Sequence, residues 1–280
     1  KVAALGFNLI GSGRYSMDSK QFDFSAGGAT ADLSVIPLDA KESEALGLSG
    51  RLEGALAVNL SAKGKLGGAV VADGLIDLRN GVLPIHIEHD TPSPMRAIGR
   101  TSLNINVPFK FEYDLQSHSM TKMVVNSAFV QADLSATELR LQGRLQKSAG
   151  TPLSFNAQWS IDGKTVYLTK CAFTLSNLNA DISGTTSIDP KENSELNLSV
   201  QLPSLTGWPT LIPVFDSPEL NGLRDNVDFA AANGSISLKG SISGPIKAGM
   251  QDPQLLDVVV EQLDVSALRL PINLRLKDTA

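Results

Sequence analysis

One cysteine, three histidines and an aromatic content of 5% are what 280 residues offer to chemistry. Each shortage removes a class of function. A single thiol, Cys171, cannot close an intramolecular disulfide, so no cystine framework holds this chain together. Within "LTKCAFTL" it reads as a small hydrophobe on a strand. Three Tyr and two Trp are too few for the aromatic girdles of an outer-membrane barrel. Lysine and arginine number 24 against 29 acidic residues, for a net charge of −5, and they are scattered singly. Without a basic stripe to neutralise phosphates, nucleic acid is not an expected partner. No apolar run reaches the roughly 18 residues that span a bilayer. The chain starts at Lys1 rather than Met, and the expectation is a fragment or processed chain whose membrane anchor lies outside it.

Catalytic and metal-binding patterns are equally scarce. "HIEHD" brings His86, His89 and Asp90 together, but residues three apart on an extended strand point to opposite sides. His118 is the only other histidine, so "HIEHD" reads as a solvated loop ahead of "TPSP". "GSGR" (11–14) lacks the strand-to-helix setting of a phosphate loop, and "GKLGG" lacks the Lys-Ser/Thr ending. Both read as turns. No serine occupies a G-x-S-x-G elbow, and Glu42 and Glu44 fall on an expected exposed helix face. The chain is read as a non-enzyme with no cofactor and no metal site.

What is abundant is alternation. Leu52, Leu56, Val58 and Leu60 share one parity, as do Leu103, Ile105, Val107, Phe109, Phe111, Tyr113 and Leu115. Leu139, Leu141 and Leu145 follow, then Leu153, Phe155, Trp159 and Ile161. "ELNLSVQL" contributes Leu196, Leu198, Val200 and Leu202; "NGSISLKGSISGPI" contributes Ile236, Leu238 and Ile242. "ALRLPINLRL" contributes Leu268, Leu270, Ile272, Leu274 and Leu276. Side chains of a strand alternate between faces, so each segment has one apolar and one polar side. Glycine, Asn, Asp and Pro clusters such as "KSAGTP" and "IDGK" punctuate them.

Helix signals are confined to two places. Asp39 with Glu42 forms a capping box in "PLDAKESEALG", closed by Gly47. "TGWPTLIPVF" suggests a short helix between Pro209 and Pro213. The expected fold is mostly β, an elongated, curled antiparallel sheet forming an open groove, with one or two short helices. An internal repeat joins 38–85 to 207–272, since "IDLRNGVLPI" (76–85) aligns without gaps to "LDVSALRLPI" (263–272).

"LSGRLEGALAVNLSAKG…VVADGLIDLRNGVL" and "ANGSISLKGSISGPIKAGMQDPQL" resemble the AsmA-like family of Gram-negative envelope proteins. A helix precedes glycine-punctuated strands, and Gly244-Pro245 and Pro253 stand where the family often has such residues. "TLSNLNADISGTTSID" is similar to its recurrent strand unit. The likeness covers roughly 33–85 and 137–275. It implies a single elongated periplasmic unit over 1–280, anchored in the inner membrane, whose sheet curls into an apolar-lined groove. It further implies phospholipid movement between inner- and outer-membrane components.

Independently of that likeness, a one-sided sheet must cover its apolar face. The helices are too few to do so. An acyl chain is chemically matched: burying about 16 carbons at about 0.8 kcal/mol per methylene is worth roughly 12 kcal/mol before ordering costs. The residues expected to line a lipid groove are Leu52, Leu56, Val58, Leu60, Leu139, Leu141, Leu196, Leu198, Val200, Ile236, Leu238, Ile242, Leu270, Ile272 and Leu274. Alternation also suits a closed β-sandwich or solenoid acting as scaffold or adhesin, and the sequence leaves that reading open.

Overall fold

A computed structural model of the chain describes residues 2–4, 7–30, 32–35, 47–89, 95–141, 145–189, 192–205, 233–246 and 255–269. They form strands almost throughout. In chain order these are β1 (Val2–Ala4), β2 (Phe7–Ser16), β3 (Gln21–Thr30), β4 (Glu53–Lys65), β5 (Ala69–His89) and β6 (Met95–Asp114). Next come β7 (Ser119–Asp133), β8 (Glu138–Leu141), β9 (Leu145–Lys147), β10 (Leu153–Asp162) and β11 (Thr165–Leu175). The last four are β12 (Leu178–Ser187), β13 (Ser194–Leu202), β14 (Asn233–Gly244) and β15 (Asp257–Arg269). A 3-10 turn, Leu33–Val35, is the one named helical element among the described residues.

All fifteen strands belong to one sheet, and every pairing is antiparallel. Each strand lies beside its sequence neighbour, the one departure being the small β8–β9 hairpin, so that β7 pairs directly with β10. The sheet is open. β1 pairs only with β2 and β15 only with β14, so the ends do not meet as a barrel requires. The expected helices over 39–46 and 209–213 fall outside the described residues. Gly47, expected to end the first, has φ of 64°.

Two sequence expectations are corrected. "GSGR" lies inside β2, where Gly11 and Gly13 face Ala26 and Phe24 of β3. Small residues there let the Phe24 ring lie against the neighbouring backbone, with its Cδ2 3.4 Å from a Cβ built on Gly13. "HIEH" is strand as well: β5 runs to His89, and His86 pairs with Ile98. Strand replaces the expected loop there because β5 and β6 are unusually long, 21 and 20 residues.

Two kinked strand pairs resemble one another. Gly54 (φ 115°) opposes the register shift at Asn80 (φ 51°), and Gly234 (φ 125°) opposes the shift at Ala267 (φ 49°). A Cβ on Gly54 would sit 2.7 Å from the Gly81 Cα, and one on Gly234 would sit 2.8 Å from the Ser266 carbonyl oxygen. Only glycine fits that approach at that φ. Asn80 and Ala267 are corresponding positions of the two segments aligned above.

The two rims of the sheet differ. One is built from short turns at 17–20, 66–68, 115–118 and 163–164, sewn together by main-chain hydrogen bonds. Leu66 N donates to Lys20 O (2.9 Å), Leu115 N to Gly68 O (3.1 Å), Gly163 N to Met123 O (2.8 Å) and Ile188 N to Lys164 O (2.8 Å). The opposite rim carries the longer connections and most of the small core. There Leu153 and Leu175 pack with Leu134 and Leu139, and Leu202 and Leu205 pack with Leu178 and Ile236.

β6 outlasts β7, and β8 occupies the vacant stretch by pairing with Met95–Ile98. The chain therefore breaks between β7 and β8, and the break is held by a buried cation. Lys147 is 1% exposed, and its Nζ donates to the carbonyls of Thr137 (2.7 Å), Ser135 (3.1 Å) and Ser148 (3.2 Å). Burial pushes its pKa below the ordinary lysine value, and the Asp133 carboxylate pulls it back up. Three carbonyls consume all three ammonium donors. Lys147→Met should lower unfolding stability by about 2–3 kcal/mol, because those oxygens lose a charged donor. In urea titrations, exposed Lys164→Met should stay within about 0.5 kcal/mol of the parent. Equal midpoints for the two variants would refute the clamp.

Candidate functional site

Directly paired residues in a ladder point to the same side, so side-chain rows can be followed across the sheet. One row runs through eleven strands: Thr30, Leu56, Leu78, Ile105, Val130, Ala157, Cys171, Ile182, Leu198, Gly240 and Val260. A second passes through Gly81, Leu103, Ala132, Phe155, Phe173, Ala180, Val200, Leu238 and Leu263. No charged residue interrupts either. On the reverse side the row Ser25, Ser61, Asp73, Lys110, Val124, Asp162, Thr165 and Ser187 is mostly polar.

Keeping these rows on one side requires corrections within strands. In β5 the apolar side is held by Val70, Ala72, Ile76 and Leu78, then by Gly81, Leu83, Ile85 and Ile87. The parity changes from even to odd at the Asn80 bulge. β7 changes between Val125 and Ala128, where Ser127 has φ of 50°. β11 changes between Leu168 and Cys171, and β15 between Val260 and Leu263. Each bulge supplies one extra residue and so restores the phase that the sequence had shifted.

Most of the expected lining residues come together. Leu56, Val58 and Leu60 of β4, Leu196, Leu198 and Val200 of β13, and Ile236, Leu238 and Ile242 of β14 share the apolar side. Leu139 joins them by pairing with Ala97, which itself pairs with Ile87, and Leu141 pairs with Met95. Leu52 immediately precedes β4, where no ladder pairing places it on either side, and is half-buried. Leu270, Ile272 and Leu274 lie outside the described residues.

The sequence reading missed the contributions of β7, β11 and β15, whose bulges hide their alternation. It grouped Phe109 and Phe111 by parity but left this aromatic strip at the middle of the sheet out of the expected lining. The Phe109 and Phe111 rings stack with centroids 6.2 Å apart, and Phe109 lies over Gly74, its Cζ 2.6 Å from where a Cβ would stand. A glycine opposite a ring lets the aromatic cover the neighbouring backbone.

Little of this side is covered by described residues. Leu60 (37%), Phe173 (37%), Ile76 (39%), Val260 (57%) and Leu263 (58%) all remain accessible. Among the described residues, eleven apolar side chains are buried, several of them at the one rim. Cys171 sits within the long row, with its thiol pKa raised first by burial and then by the nearby Asp181 charge, so it is a neutral packing group. No described group of three or more His, Cys, Asp or Glu is placed to hold a metal. His86 instead faces Glu88, with Nε2 3.9 Å from Oε2, while Arg96 contacts that carboxylate at 3.0 Å.

The reverse side is held by polar pairs. Ser61 Oγ donates to Asp73 (2.7 Å), Arg100 pairs with Glu53, and Asp77 takes Arg79 (2.7 Å) and the Asn106 amide (3.3 Å). No family model, curated protein or solved structure matches the chain.

Asp77 supplies a pH test of this arrangement. The Arg79 hydrogen bond, aided by Asn106, holds its carboxyl below the ordinary value of 3.8 despite the opposing effect of desolvation. A carboxyl depressed in the folded state contributes stability that is complete above the unfolded value and lost as pH falls through the folded one. Unfolding followed from pH 6 downward should therefore show an acid limb beginning near pH 4 that is shallower in Asp77→Asn. Identical limbs in parent and variant would remove Asp77 from the account.

Proposed function

We propose that the apolar side of the sheet carries lipid acyl chains, making this a lipid-binding protein of the bacterial envelope rather than an enzyme. The observation that carries the reading is the uncharged row crossing eleven strands, with Leu60, Ile76, Phe173, Val260 and Leu263 accessible on the same side. Apolar side chains left in water on that side are unfavourable, at about 25 cal/mol per Å² of apolar surface. A flexible hydrocarbon suits a surface of many small steps, with glycine and alanine beside leucine and phenylalanine, better than a rigid partner does. The resemblance of 33–85 and 137–275 to AsmA-like proteins supports a periplasmic setting, inner-membrane anchorage and phospholipid exchange with the outer membrane. The rival closed sandwich needs a second sheet, and none occurs among the described residues.

Leu198 tests the proposal. It lies between Ile182 and Gly240 on the apolar side, whereas Asn197 lies between Ser183 and Ser241 on the other. Native mass spectrometry of the purified protein should find bound phospholipid. Leu198→Arg should reduce occupancy about 30- to 1,000-fold, by analogy with the 2–4 kcal/mol cost at lipid-facing barrel sites. Asn197→Arg should leave occupancy intact, and both variants should stay β-rich by circular dichroism. A photo-crosslinker giving lipid adducts at 198 but not 199 supports the reading. Equal labelling at both, or no lipid in the parent, overturns it.

A further inference from the structure

The short-turn rim has an amphiphilic corner where β2, β3, β4 and β5 meet. Met17 at the first turn is 84% exposed and Leu66 at the second is 52% exposed. The Leu66 N to Lys20 O bond holds the two turns side by side. Tyr15 and Phe24, on the apolar side just behind them, are also exposed. On the reverse side Arg14, Asp23 and Lys63 form one cross-strand row, and Ser16, Gln21 and Lys65 form the next. These six residues line an open depression of about 580 Å³.

The charge of this corner is opposite in sign to that of the whole chain. Segments 14–23 and 62–71 hold Arg14, Lys20, Lys63 and Lys65 against Asp18 and Asp23, a local balance of +2 in a chain of net −5. None of the four cations forms an ion pair among the described residues. Elsewhere on the same rim Lys164 lies near Asp189 (3.8 Å) and Glu192 (4.0 Å), and Ile188 projects there with acidic neighbours. Apolar tips flanked by unpaired cations are the pattern that enters a headgroup layer. The tips reach the acyl boundary, while lysine and arginine stems extend along it and place their charges at phosphate level.

We infer that this corner docks on the surface of an anionic phospholipid bilayer, with Met17 and Leu66 inserted and Arg14, Lys20, Lys63 and Lys65 on the phosphates. The site is on the rim and uses no residue of the long apolar rows, so it goes beyond the acyl-binding reading and stands independently of it.

Vesicle flotation tests it, using phosphatidylcholine alone and phosphatidylcholine with phosphatidylglycerol. The protein should float with the anionic vesicles, less so as salt rises, and poorly with the neutral ones. Lys63→Gln with Lys65→Gln should weaken partitioning by about 25-fold, at about fivefold for each basic residue. Met17→Ser with Leu66→Ser should weaken it by about tenfold. Leu198→Arg should float as the parent does, and co-purifying phospholipid measured on the same samples reports the apolar side separately. Because the substituted side chains are exposed, all variants should keep the parent β signal. Equal flotation with both vesicle types overturns the inference. So does flotation unaffected by either pair. If only the lysine pair matters and soluble poly-glutamate competes as well as vesicles do, the corner binds acidic polymers and the bilayer assignment fails.

Discussion

A strand that slips by one residue exchanges its two faces, and this sheet cannot tolerate the exchange. With thirteen strands laid side by side, a single phase error would drive a run of leucines into the polar side and carry charges into the apolar one. The bulges are the means by which phase is kept. At Asn80, at Ser127, between Leu168 and Cys171, and between Val260 and Leu263 the sequence changes parity, and the backbone absorbs the change within one or two residues. Positive φ at Asn80 and Ser127 is the local cost of that correction, tolerated because pairing on both sides fixes the strand.

This correction also explains what could be read from the sequence. β4, β6, β10, β13 and β14 hold one parity over the stretches that were read, and their apolar sets, from Leu56 to Leu60 or from Leu196 to Leu202, stood out as alternation. β7, β11 and β15 read as irregular because a bulge splits each into two out-of-phase halves. Antiparallel one-sidedness was thus legible, while the number of strands and the extent of the apolar rows were not. Leu52 was grouped with β4 by parity alone, and it stands just outside the ladder, which begins at Glu53. Lys147 offered no signal at all. Its role depends on the break between β7 and β8, which arises only because β6 is longer than its neighbour.

Burial is distributed in keeping with this design. The rim with long connections holds the leucine clusters around Leu153 and Leu202, whereas the rim with short turns leaves Met17, Leu66 and Met120 in the open. The middle of the sheet relies on its ladders and on cross-strand contacts such as Phe109 over Gly74. A single layer gains from lateral pairing what a two-layer domain gains from a shared core.

The order of strands has a consequence for how the molecule comes apart. Because nearly every strand touches only the strands before and after it in the chain, no central element among the described residues ties distant parts together. Such a system approximates a one-dimensional array, in which stability is a sum of nearest-neighbour couplings and cooperativity is limited in range. Opening then begins at the ends. β15, exposed along its whole length, and β1, paired over three residues, exchange their amides first, and protection rises inward toward the long β5–β6 pair. The protein behaves less like a globule with one melting event than like a zipper that can be shortened from either side while its middle stays closed.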